Sequence, residues 1–208
     1  MFIFWIIALV IALSIHEYAH ARAADELGDP TPRLNGRLTL NPLAHLDPIG
    51  TLMLLLFRFG WGKPVPIDPY NLRNPRRDQA LISLAGPASN FITAVAFSLI
   101  YHLISNFAPA INSPLVSSFA ITVVIMNLGL GIFNLLPFGP LDGAKIFLGF
   151  LPADKAEDWE QAMSQYSLIV FLLTLLPIIN GSSILSLTLG TLVNFFLKLL
   201  FPSFSGII

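Results

Sequence analysis

This 208-residue chain is 55% hydrophobic and only 11% charged, with a mean hydropathy of +0.75, which excludes an ordinary water-soluble domain and reads as an integral membrane protein. A formal net charge of -1 gives no electrostatic basis for binding nucleic acid. With no cysteine, disulfides, thiolate metal sites and cysteine nucleophiles are excluded too, so any metal must be held by His, Asp or Glu.

The first predicted element is a span over residues 2–24. It lacks the basic start of a signal peptide and a histidine pair interrupts its apolar run, so it is expected to be retained. That pair, His16-Glu17-Tyr18-Ala19-His20, is the centre of the reading. On a helix, positions four apart share a face, so His16 and His20 can present nitrogens to one ion with Glu17 beside it. This is the His-Glu-x-x-His arrangement of zinc hydrolases, in which the glutamate acts as general base. Ionisable groups inside spans are costly, about 2.5 to 3.5 kcal/mol for Asp, Lys or Arg, so their default reading is functional. The plainer alternative is a hydrogen-bonded polar cluster pinning neighbouring helices.

Residues 25–47 are polar, and residues 33–40 alternate apolar and polar side chains around Asn35-Gly36. An Asn-Gly pair suits a type I′ turn, which predicts a short membrane-surface β-hairpin, with a solvated loop as the alternative. Pro42 and Pro48 break any helix around His45, which reads as an interfacial hydrogen-bonding residue, or as a gate or accessory ligand at the site. The apolar run 49–59 is too short to cross a bilayer and is expected to be re-entrant. Residues 60–77, with Pro64, Pro66, Pro69 and Pro75, form an irregular loop.

Spans are then expected over 80–105, which contains Gly86-Pro87-Ala88-Ser89-Asn90, and over 115–137. Gly86 and Asn90 read as a close helix contact and a bond across helices, with Asn90 also a candidate to line the site. Prolines and glycines at 137–143 end regular helix near membrane depth, where irregular backbone is tolerated only against protein or a wet cavity. A short charged surface helix over 153–165 and a last pair of spans, 167–179 and 183–201, complete the chain. The fold class is therefore an all-α polytopic membrane protein of about five or six transmembrane helices, one domain over residues 1–208.

Arg22, at the end of the first span, and Arg33, Arg37, Arg58, Lys63, Arg73, Arg76 and Arg77, between it and the Gly86 span, share one side, and residues 106–114 carry no basic residue. The positive-inside rule places the former face, and with it the candidate site, toward the cytoplasm. A catalytic zinc site needs a third protein ligand. Glu157 and Glu160 lie in a hydrophilic stretch, whereas Asp142 follows a broken span where an unpaired carboxylate is expensive. Asp142 as a helix N-cap remains the competing reading.

His16-Glu17-Tyr18-Ala19-His20, Gly86-Pro87-Ala88-Ser89-Asn90, and Asn134-Leu135-Leu136-Pro137 leading to Leu141-Asp142-Gly143 resemble the signature of site-2 protease-type intramembrane metalloproteases. The closest layouts are short prokaryotic forms without a PDZ or regulatory domain. The resemblance implies Zn²⁺ held by His16, His20 and Asp142, Glu17 as base and proton shuttle, and Asn134 as a contact for the substrate backbone or oxyanion. It also implies a transmembrane protein as substrate and a plasma-membrane setting. Family members often carry Asn-x-x-Pro-x-Pro-x-x-Asp-Gly, whereas Phe138 and Gly139 precede Pro140 here. Leu34, Leu38 and Leu40 are candidate substrate contacts, on the expectation that an unwound substrate adds as a strand to the hairpin. The competing functions are a metal-ion transporter or channel, and a catalytically inactive membrane chaperone.

Overall fold

Helix α1, Phe2–Glu26, contains no proline or glycine to interrupt it and stops where Gly28 takes φ +107. The computed structural model describes residues 2–57, 60–177 and 181–202. After α1 come the one-turn helix α2, Thr31–Leu34, and helix α3, Pro48–Phe57. Then follow α4, Pro75–Phe107; α5, Pro114–Asn134; α6, Asp142–Phe150; α7, Ala153–Leu175; and α8, Ile184–Leu200.

Helix starts follow local chemistry. Pro75 and Pro114 occupy first-turn positions where a missing N–H costs nothing. The Ser113 hydroxyl caps α5, and Ser183 and Ser186 cap α8 reciprocally. Among the described residues, α1, α4 and α5 are long and apolar enough to cross a membrane, and α8 is a shorter apolar helix. That differs from an expectation of five or six spans. The expected surface helix 153–165 and span 167–179 are largely one element, α7, because no proline or glycine separates them; residues 178–179 lie outside the described residues.

The expected β-hairpin is not formed; the described residues contain no strand. Pro30 and Pro32 favour a helical turn over 31–34, and Asn35, at φ -89, lacks the positive angle that a type I′ turn requires. Only Gly36 is left-handed, at φ +66. The re-entrant expectation lands on α3, whose ten residues are too few to span. Its exit, residues 58–59, lies outside the described residues.

Helix α4 packs against α1, α5 and α6, and α5 packs in turn against α1 and α8. One apolar cluster joins α4, α5 and α8 through Ala94, Val124, Leu128, Ile132 and Leu197. On the outside, Ile92, Leu99 and Leu103 of α4 and Leu168 and Leu172 of α7 are exposed, a surface suited to acyl chains rather than water. α1, α4 and α6 are thereby brought together where the histidines lie.

Candidate metal centre

His16 and His20 face inward from α1, at 3% and 6% exposure. Their rings approach α4 at Gly86, where a Cβ would stand 2.5 Å from His20 Cε1 and 2.7 Å from His16 Cε1. Only glycine leaves that space. Next to it, Pro87 has no N–H to offer the helix carbonyl four residues earlier.

Each imidazole is held from behind. His16 Nδ1–H donates to Asn90 Oδ1 at 2.7 Å, and His20 Nδ1–H donates to the Ile82 carbonyl at 2.7 Å. Both ring protons are therefore committed away from the site, leaving Nε2 of each ring with its lone pair. The two Nε2 atoms lie 3.0 Å apart, and Asp142 Oδ2 is 3.1 Å from His16 Nε2 and 3.2 Å from His20 Nε2. Three electron-rich atoms converging at these distances repel unless a metal cation or a shared proton lies among them. Tetrahedral zinc with bonds near 2.0–2.1 Å separates its ligand atoms by about 3.3 Å, so this donor set fits zinc within a few tenths of an ångström. It is the one group of three His, Asp or Glu side chains suited to a metal among the described residues.

Asp142 reaches the histidines because α5 ends at Asn134 and the chain turns through Gly139, at φ +71, before α6 begins. Leu141 is the N-cap of α6 and Asp142 lies in its first turn, so the capping alternative does not hold. Gly143 packs so closely on the Leu135 and Leu136 carbonyls that a Cβ would overlap them.

The group opens onto a cavity of about 480 Å³ lined by His16, Glu17, His20, Asn134, Asp142 and Lys145 among mostly apolar side chains. Glu17, adjacent in sequence to His16, borders the same space. Asn134 donates one amide N–H to the Leu130 carbonyl at 3.0 Å, leaving its second N–H for the cavity. Further walls come from α3, through Gly50, Thr51 and Leu54, and from Gly62, Pro64, Val65 and Ile67.

Other expected contacts are placed elsewhere. Asn90 is fully buried behind His16 and does not line the cavity. Leu34 and Leu40 are 79% and 58% exposed, and neither they nor Leu38 line it. With no strand formed at 33–40, the sheet edge expected to receive substrate is missing there. His45 is buried and donates from Nε2 to the Thr39 carbonyl at 2.7 Å, outside the metal group. Arg37, read from sequence only as a topology charge, is buried and its guanidinium donates to the Lys63 carbonyl. Sequence reasoning also gave neither Lys145 nor Asn127 a part in the site. Lys145 stands three residues after Asp142 and so shares its helix face; Asn127, an amide in the middle of an apolar span, was itself the signal.

Residues 66–179 match peptidase family M50. A relative from Bacillus subtilis (strain 168), named "Putative zinc metalloprotease YwhC", is 40% identical over 171 residues, covering 80% of this chain and 77% of the relative. Proteins named "Putative zinc metalloprotease Rip2" from Mycolicibacterium smegmatis and Mycobacterium tuberculosis are each 30% identical, over 186 and 188 residues. Those alignments cover 86% and 87% of this chain and 70% of each relative. No solved structure matches the chain.

Proposed function

Because this chain belongs to peptidase family M50, we propose that it is a zinc-dependent endopeptidase that cleaves transmembrane protein substrates within or near their spans. The observation that carries the reading is the convergence of His16 Nε2, His20 Nε2 and Asp142 Oδ2 at 3.0–3.2 Å beside a cavity that also holds Glu17. Zinc, when bound by these three residues, supplies Lewis acidity toward a carbonyl and makes water acidic enough to lose a proton near neutral pH.

The chain's own groups do the rest. Glu17 takes the proton of the attacking water and passes it to the departing amide nitrogen. The free Asn134 N–H donates to the oxyanion as it develops. The apolar walls shield a substrate from bulk water while keeping the polar groups at one depth. In a helical substrate each carbonyl is bonded four residues on, so cleavage requires local unwinding. Strand addition is better served by the cavity wall at residues 62–67 than by residues 34–40: Pro64 and Pro66 bias Lys63 and Val65 toward extended backbone, and Gly62, Pro64, Val65 and Ile67 border the space. The concentration of basic residues between α1 and α4 orients the site toward the cytoplasmic face of the plasma membrane.

A transporter would spread ligating side chains along several spans, whereas the described residues gather theirs into one group. An inactive chaperone would have no need for Glu17 beside that group. The deciding experiment uses purified protein of measured zinc content on a panel of single-span membrane substrates. Glu17→Gln is expected to keep its zinc and lose cleavage by about 10²- to 10⁴-fold. Undiminished cleavage by that variant would overturn the mechanism.

A further inference from the structure

Behind His16 lies a series of buried amides joining three helices. Asn90 Oδ1 of α4 accepts from His16 Nδ1–H at 2.7 Å. Asn90 Nδ2 donates to the Ala12 carbonyl of α1 at 3.1 Å and to Asn127 Oδ1 of α5 at 3.0 Å. Asn127 Nδ2 donates in turn to the Val123 carbonyl at 2.9 Å. Both asparagines are 0% exposed, so no bulk water can stand in for a missing partner.

Every bond in the series has one permitted direction. A carbonyl only accepts, so the Asn127 nitrogen must face Val123 and its oxygen must face Asn90. The two Asn90 N–H bonds are then committed to Ala12 and Asn127, and the Asn90 oxygen is left for His16. An acceptor at that point draws the single proton of neutral His16 onto Nδ1 and leaves Nε2 with its lone pair toward Asp142 and His20. His20 is fixed differently. Its acceptor is the Ile82 backbone carbonyl, which cannot flip. The Asn90 amide can flip, and what holds it is the pair of acceptors on its nitrogen side.

We infer that Asn127 and Asn90 form a positioning relay that selects the Nδ1–H tautomer of His16 and so sets metal affinity from α5, a helix that supplies no ligand. This rests on the reading that His16 holds the metal through Nε2. Without the Asn127 oxygen, one Asn90 N–H is stranded and the Ala12 carbonyl alone holds the amide, so the flipped form, which offers its nitrogen to His16 Nδ1, loses one of the two acceptors that oppose it. The ring would then carry its proton on Nε2, aimed into the centre.

The test is made on the full-length chain, by chelator competition for zinc and by ¹⁵N NMR of the histidine side chains after zinc is stripped. Asn127→Leu removes the acceptor, whereas Asn127→Asp, as the neutral acid, keeps an oxygen facing Asn90 and an O–H facing the Val123 carbonyl. Asn127→Leu is expected to bind zinc about tenfold more weakly and to move His16 toward the Nε2–H tautomer, with Asn127→Asp close to wild type in both measurements. Unchanged affinity and tautomer in Asn127→Leu would overturn the relay. Equal losses in both variants would assign the effect to packing and overturn it too. The wild-type spectrum alone is a further check, since a dominant Nε2–H form of His16 contradicts the relay whether or not either variant folds. A wild-type protein that binds no zinc would instead remove the metal reading beneath it.

Discussion

At the scale of the residue, Gly86 shows how little room the centre allows. Both histidine rings fill the space that a side chain would take on α4. Gly86→Ala is therefore expected to push His16 and His20 apart and weaken zinc binding by about 10- to 100-fold, read by chelator competition, while the helices persist by circular dichroism. The need for a glycine was visible in the sequence as part of Gly86-Pro87-Ala88-Ser89-Asn90, but its reason was not. Helix contact was the expected role, and the structure specifies the partner as the two imidazoles. Asn90 makes the same point from the other side, since a polar residue inside a span signals importance without saying whether it faces a cavity or, as here, the Nδ1 of a histidine.

At the scale of the element, the connection after α1 is fastened to the turn before α4 by one carboxylate. Asp29 is fully buried and accepts from Thr31 N–H at 3.0 Å, Asp68 N–H at 2.8 Å and Asn71 Nδ2 at 2.9 Å. Burial by itself would push this carboxyl up, but hydrogen bonds from Thr31, Asn71 and Asp68 outweigh it and hold its pKa below the ordinary value. A depressed folded-state pKa contributes stability that is complete above the unfolded value, about 3.9, and is lost as pH falls through the folded one. Thermal unfolding temperatures measured from pH 7 downward should accordingly drop below about pH 4 in the wild type, and less so in Asp29→Asn. Asp29→Ala at neutral pH strands three donors and should cost about 1–3 kcal/mol. None of this was legible beforehand, because Asp29 and Asp68 are 39 residues apart and meet only through the fold.

For the whole molecule, the centre joins elements far apart in the chain, with Asp142 lying 122 residues from His20. Metal bound there would stabilise the assembled state by mass action, by about 4 kcal/mol at free zinc a thousandfold above its dissociation constant. Stripping zinc with a chelator should lower the unfolding temperature of the wild type and leave that of His20→Ala nearly unmoved. Orientation is a property of the same scale. Tyr70 is 97% exposed on the basic loop, and the chain has no cysteine of its own, so Tyr70→Cys offers a single labelling site. A membrane-impermeant maleimide should reach it in inverted vesicles and not in intact cells; the reverse would turn the positive-inside assignment over.

Periodicity, composition and one motif were enough to determine the membrane character of the chain, its helices α1, α4 and α5, and the pairing of His16 with His20. Each of these depends on spacing along a single helix or on the hydropathy of a continuous segment. Tertiary structure alone decided the rest. It joined residues 153–175 into one helix and replaced the hairpin with a proline-led turn. It also set residues 62–67, rather than Leu34, Leu38 and Leu40, along the cavity and placed Asn90 behind His16 rather than on the cavity lining. The physical reason is that a buried polar group declares its cost in the sequence, but which partner offsets that cost depends on contacts between segments that are distant in the chain.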